Sequence, residues 1–204
     1  MAKKERYFTE ITRAQILGVY SSDLAYSTIF DKSQEAVDYF GAAIDLAYKL
    51  NIEEGYESEL LDKAYDNIDN NDTLSKIASN AYHRTCTTLE KSKRENVLPF
   101  IVLGSWVESV YILTHSCIGS RPEDGIYDEL YSQKKHLEGL ITYFSDILNS
   151  ENNTEKEEVK SKLQKLQKLK DEYDKIELSD SETLDAEKLK EVIVLIQQLR
   201  TDLI

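Results

Sequence analysis

At 204 residues, the chain has the length of one domain, or of one domain with an appendage. Its net charge of −13, with no basic block to offset it, repels phosphate backbones and argues against DNA or RNA as a partner. Two prolines and seven glycines are too few to punctuate a sheet protein, while 41% apolar and 31% charged residues fit a folded, soluble, all-α chain.

Apolar spacing predicts a first helix over about residues 9 to 30, with Ile11, Ala14, Leu17 and Leu24 facing inward. Gly18, Ser22 and Ala25 form a strip of small residues on it, which lets another helix approach closely. Asp31 is the expected N-cap of a second helix, with Gln34 three residues on. That helix aligns Ala36, Val37, Phe40, Ala43, Ile44, Ala47 and Leu50, and Asn51 and Gly55 punctuate its end. A short third helix uses Leu60, Leu61, Ala64 and Ile68, and Asp72 is expected to cap a fourth that carries Leu74, Ile77, Ala78, Ala81, Thr85, Thr88 and Leu89.

Pro99 is tolerated only in a first turn, so the fifth helix starts near Asn96 or Val97, and Pro122 starts the sixth in the same way. The polar run Asn149 to Thr154 reads as a linker. Beyond it, Val159, Leu163, Leu166, Tyr173 and Ile176 keep nearly heptad spacing, as do Leu189, Val192, Ile196, Leu199 and Leu203. Leu184 and Leu189 flank an expected Asp185 N-cap. The expected architecture is therefore an antiparallel bundle of about six helices over residues 1–149, followed by an antiparallel helical hairpin over 150–204.

The fifth helix is the informative one. Val97 to Gly119 carries a single formal charge, Glu108, and its length would admit a membrane span. Ser105, Ser109, Thr114, His115, Ser116 and Pro99 argue instead for the centre of a soluble bundle, so no transmembrane span is expected. Gly104, Glu108, Tyr111 and His115 are spaced by four, three and four, which places them on one stripe. The first helix offers a comparable strip in Tyr20, Asp23 and Tyr26 or Ser27. If the two strips face each other, the carboxylates meet tyrosines and a histidine in a partly buried pocket. The competing reading is a solvent edge or a structural polar network.

Other chemistry is missing from the pattern. The residues three before His83, His115 and His136 are Asn80, Ile112 and Gln133, so the Glu-x-x-His signature of dimetal bundles is absent. His83 and Cys86 form half of a zinc-like pair with no second half, and Cys86 and Cys117 read as small buried apolar residues. The acidic run from Asp66 to Asp72 lacks the register of a calcium loop. No phosphate-cradling glycine loop, nucleophile elbow or H-E-x-x-H motif occurs. No cofactor or metal is expected.

Leu17-Gly18-Val19-Tyr20-Ser21-Ser22-Asp23-Leu24-Ala25-Tyr26 resembles the L-G-V-Y-G-A-D-L-x-Y stretch of a group of uncharacterised helical lipoproteins from Bacteroidetes-type bacteria. The likeness continues at Asn67 to Leu74 and at Leu103-Gly104-Ser105-Trp106-Val107-Glu108-Ser109-Val110-Tyr111, which is similar to A-G-G-W-I-E-G-L-Y. The family has no assigned activity. The resemblance implies an envelope location and a lipid-bearing cysteine upstream. Met1 to Arg6 has no apolar segment behind it, so a cytoplasmic location is the alternative. The family pattern matches at Tyr20, Asp23, Trp106, Glu108 and Tyr111 and so brackets the two polar strips; together with Tyr26 and His115 of those strips, these are the candidate ligand-binding residues.

The first reading is thus a non-enzymatic, envelope-associated binding or scaffolding protein whose partner is a protein or a small molecule. The second is an enzyme with Asp23 or Glu108 as general base, assisted by Tyr20 or Tyr111. The third is a structural homo-oligomer joined through the C-terminal hairpin.

Overall fold

The computed structural model describes residues 9–52, 58–92, 94, 96–121, 124–150, 156–176, 184 and 187–204. Among them are eight helices and no strand, the all-α architecture that the apolar spacing predicts. In chain order they are α1 (Glu10–Ile29), α2 (Ser33–Lys49), α3 (Ser58–Asp66), α4 (Asn71–Lys91), α5 (Leu98–Ser116), α6 (Ile126–Asn149), α7 (Lys156–Asp174) and α8 (Lys190–Leu203).

The chain divides into two compact units: Met1–Ser109 with Leu203–Ile204, and Val110–Asp202. The division falls inside α5, whereas the polar run after α6 suggests one at residue 149. The packing of α6 explains the difference. Tyr173 of α7 is fully buried and its hydroxyl donates to the Leu130 carbonyl of α6 at 2.9 Å, while Lys134 of α6 lies 2.7 Å from Asp174 of α7. Helix α6 therefore shares a face with α7. Burial pushes the Tyr173 phenol well above its ordinary value, so it remains a donor at any physiological pH. Hydrogen bonds from Lys134 and Lys170 hold the Asp174 carboxyl below its ordinary value.

In the first unit, Thr9 caps α1, its hydroxyl accepting from the Thr12 N–H at 3.0 Å. Helix α2 buries Ala36, Val37, Phe40, Ala43, Ile44 and Ala47, as its spacing predicts. Asp31 does not cap α2. The residue before α2 is Lys32, which makes no side-chain cap, and Asp31 sits at φ 54° in the left-handed region. It is the turning residue of a Schellman end on α1, in which the Lys32 N–H reaches back to the Ser27 carbonyl at 2.8 Å. Short polar side chains such as Asp and Asn tolerate that conformation best after glycine, which accounts for the residue without any capping role. Asn51 ends α2 in the same way at φ 51°, with the Ile52 N–H on the Ala47 carbonyl at 3.0 Å. Gly55 lies outside the described residues.

Helix α4 is capped by Asn70, whose side-chain oxygen accepts from the Thr73 N–H at 3.0 Å, and Asp72, two residues on, is an acid of the first turn. Pro99 is the second residue of α5, within the first turn as its chemistry requires. Helix α6 begins after Gly125 at φ 73°, four residues beyond the proline that the sequence suggests as its start. Pro122 and Asp185 lie outside the described residues.

Among the described residues, α5 is the one helix long and apolar enough to cross a membrane. Its Phe100, Ile101, Leu103, Val107 and Val110 are buried within the protein, a burial that accounts for its composition without lipid. Helix α8 buries Leu189, Val192, Ile196 and Leu199 of the second unit and Leu203, the predicted stripe. Helix α7 buries Val159, Leu166 and Tyr173 as expected, but Lys162 and Leu169 are buried where Leu163 is half-buried. The Lys162 stem runs along the apolar surface and its ammonium reaches Glu158 at 3.3 Å.

Candidate functional site

The face that α1 turns to α5 is made by backbone. A Cβ added at Gly18 would lie 2.0 Å from the Ile101 carbonyl oxygen, and one at Gly104 would lie 1.9 Å from the Gln15 carbonyl oxygen. Neither position tolerates a side chain without moving the opposite helix. The small-residue strip expected of α1 thus meets α5 at Gly18 and Ser22, the latter hydrogen-bonded to Ser105 and Ser109. Tyr20, two residues from Gly18 and so about 200° round the helix, points elsewhere. It is buried, and its ring lies 5.8 Å from that of Tyr39 on α2.

The other predicted site residues are placed as follows. Asp23 is half-buried. Tyr26 stacks on Phe30 at 4.5 Å, with the Lys32 ammonium 5.4 Å from its ring centre. Trp106 is half-buried, and its indole Nε1 is buried without a hydrogen-bond partner. Glu108 is only 2% exposed. The α5 stripe divides between the units: Gly104 and Glu108 belong to the first, Tyr111 and His115 to the second. Within the second, the structure brings Tyr111 and His115 together at 4.4 Å between rings, and the Arg200 guanidinium lies 4.1 Å over the Tyr111 ring. His115 Nδ1 is 3.0 Å from the Tyr111 carbonyl oxygen, a contact within the helix.

The first unit contains a cavity of about 340 Å³ formed by α1, α2, α4 and α5. Its volume falls in the range of small-molecule sites, roughly 300–1,000 Å³. Leu24, Thr28, Phe40, Ala43 and Ala81 form a buried floor, together with Ser22. Ala25, Ser75, Ser79 and Ser109 are exposed and form the rim, with Ser21, Ala78, Tyr82 and Ser105 between. The wall therefore offers eight hydroxyls, six of them from serine, among methyl and aromatic surface. Among the described residues, no carboxylate, ammonium, guanidinium or imidazole lines it.

Five of these hydroxyls, those on α1 and α5, are already committed as donors. Ser21 donates to the Leu17 carbonyl and Thr28 to the Ala25 carbonyl, each at 2.8 Å. Ser22 donates to the Ser105 carbonyl at 2.8 Å. With that proton committed, the Ser22 oxygen accepts from the Ser105 hydroxyl at 2.9 Å and from the Ser109 hydroxyl at 3.0 Å.

Ser21, Ser22, Ala25, Ser105 and Ser109 stand out in the sequence only as small or polar residues or as parts of the resembling stretches, and Thr28, Ser75 and Ser79 do not stand out at all. The available signal was small residues recurring at three- and four-residue spacing on three helices: Ser21, Ser22 and Ala25; Ser75, Ala78 and Ser79; Ser105 and Ser109.

A second hollow, of about 540 Å³, lies in the other unit between Glu172, Lys175, Ile176, Glu187, Lys188, Glu191 and Val192. Within it Lys175 donates to Glu172 at 2.7 Å, which holds the lysine above its ordinary value. His83 is exposed and Cys86 half-buried, and burial raises the thiols of Cys86 and Cys117 above their ordinary value. Among the described residues, no group of three or more His, Cys, Asp or Glu is placed to share a cation. No family model matches the chain, and neither a curated protein nor a solved structure matches it.

Proposed function

We propose that this is a non-enzymatic binding protein whose first unit holds a small molecule in the cavity between α1, α2, α4 and α5. The observation that carries this reading is the wall itself, a concave surface of hydroxyls and methyls over a buried apolar floor. Such a wall orients a ligand by hydrogen bonds. Among the described residues it offers no carboxylate or imidazole with which to move a proton near neutral pH. Asp23 and Glu108, the carboxylates on which an enzymatic reading depends, are not among the lining residues. The cell envelope is the proposed setting, supported by the resemblance of the segments around Tyr20, Asn67 and Trp106.

The test is retention. The protein and its Ala78→Trp variant are incubated with a small-molecule extract of host cells, separated by size exclusion and analysed by mass spectrometry. Ala78 stands half-buried on the cavity wall, so an indole there fills the cavity at little cost to the core. The reading predicts a molecule enriched by the natural chain and lost from the variant. Equal retention by both, or none by either, contradicts it.

A further inference from the structure

We propose that the cavity selects an uncharged ligand rich in hydrogen-bond donors, a polyol or an amide with one apolar face; this rests on the reading of the cavity as a binding site. The argument comes from where the wall's protons already go. Ser21, Ser22 and Thr28 donate to backbone carbonyls, and Ser105 and Ser109 donate to Ser22. The oxygens of Ser21, Thr28, Ser105 and Ser109 keep lone pairs after these bonds, since a hydroxyl has one proton and two acceptor positions. A ligand O–H or N–H adds a hydrogen bond without breaking one. Along α1 and α5 a ligand acceptor must first take a proton from an internal bond, so on that side of the wall it exchanges rather than gains; the rim hydroxyls of Ser75 and Ser79 on α4 stand outside this network.

Charge is selected by the same wall. An ammonium or a carboxylate that settles on the buried floor gives up water without meeting an opposite charge among the described lining residues, which is costly. The chain's net charge of −13 opposes anions further. The floor of Leu24, Phe40, Ala43 and Ala81 requires an apolar face on the ligand.

Three probes of similar size separate these terms: 1,2-cyclohexanediol, its dimethyl ether, and cyclohexanecarboxylate. Their affinities for the full chain are measured by saturation-transfer NMR. The diol is expected to bind roughly fivefold or more tightly than the ether, the worth of one net hydrogen bond, and the carboxylate to bind most weakly. Ser109→Ala removes an acceptor and is expected to narrow the gap between diol and ether. If the ether binds as well as the diol, or the carboxylate best, the donor selection is overturned while the cavity remains a site. If no probe binds, or Ala78→Trp binds the diol as well as the natural chain does, the cavity reading falls with it.

Discussion

A methyl group at Gly18 would lie 2.6 Å from the Ser105 backbone nitrogen as well as 2.0 Å from the Ile101 carbonyl. Backbone cannot rotate away as a side chain can, so the helices themselves must separate. Gly18→Ala is expected to destabilise the protein by about 1–3 kcal/mol or more, as overpacking does. Gly139 of α6 has the opposite surroundings: it is exposed, and nothing lies within 4 Å of an added Cβ. Gly139→Ala is expected to stabilise by about 0.5–1 kcal/mol through helix propensity alone. Urea unfolding followed by circular dichroism gives both signs, and equal effects would contradict the packing at Gly18. Gly18 was legible as a contact residue because small residues recur beside it. Gly104 was not, because its spacing from Glu108 joined it to a polar stripe although its place is against the Gln15 backbone.

At the scale of elements, the helices were legible because their apolar positions repeat at helical spacing, as in α2 and α8, where the predicted stripes are the buried ones. Helix ends were less so. Several acids and amides compete for each cap, and the choice turns on backbone angles that the sequence does not display. Asp31 has the chemistry of an N-cap but lies in the left-handed turn that ends α1, with its carboxylate accepting from the Asn71 side chain near the start of α4. Asn70, not Asp72, holds the first free N–H groups of α4. Asn70→Ala is therefore expected to cost about 1 kcal/mol, within the ~0.5–2 kcal/mol of lost caps. Asp72→Ala is expected to cost less, the ~0.3–1 kcal/mol of a charge near a helix start. The reverse order in denaturation midpoints would contradict the assignment.

At the scale of the whole molecule, the division inside α5 was hidden because that helix is largely apolar on both sides of Ser109 and shows no composition break there. The visible break, at the polar run after Asn149, separates two helices that pack together through Tyr173. The cavity was hidden for a related reason. Each helix contributes only two to five of its residues, and a serine carries no sign of which others it will face. The tyrosine and carboxylate strips drew attention instead because their chemistry is visible in one dimension. The central claim, that the cavity of the first unit is a ligand site, is tested most directly by location. Four alanines line it: Ala25, Ala43, Ala78 and Ala81. With alanine methyls labelled, titration with 1,2-cyclohexanediol is predicted to shift those four resonances and leave Ala14, Ala36, Ala47 and Ala64 in place. Shifts centred on the second group, or none at all, would contradict the account.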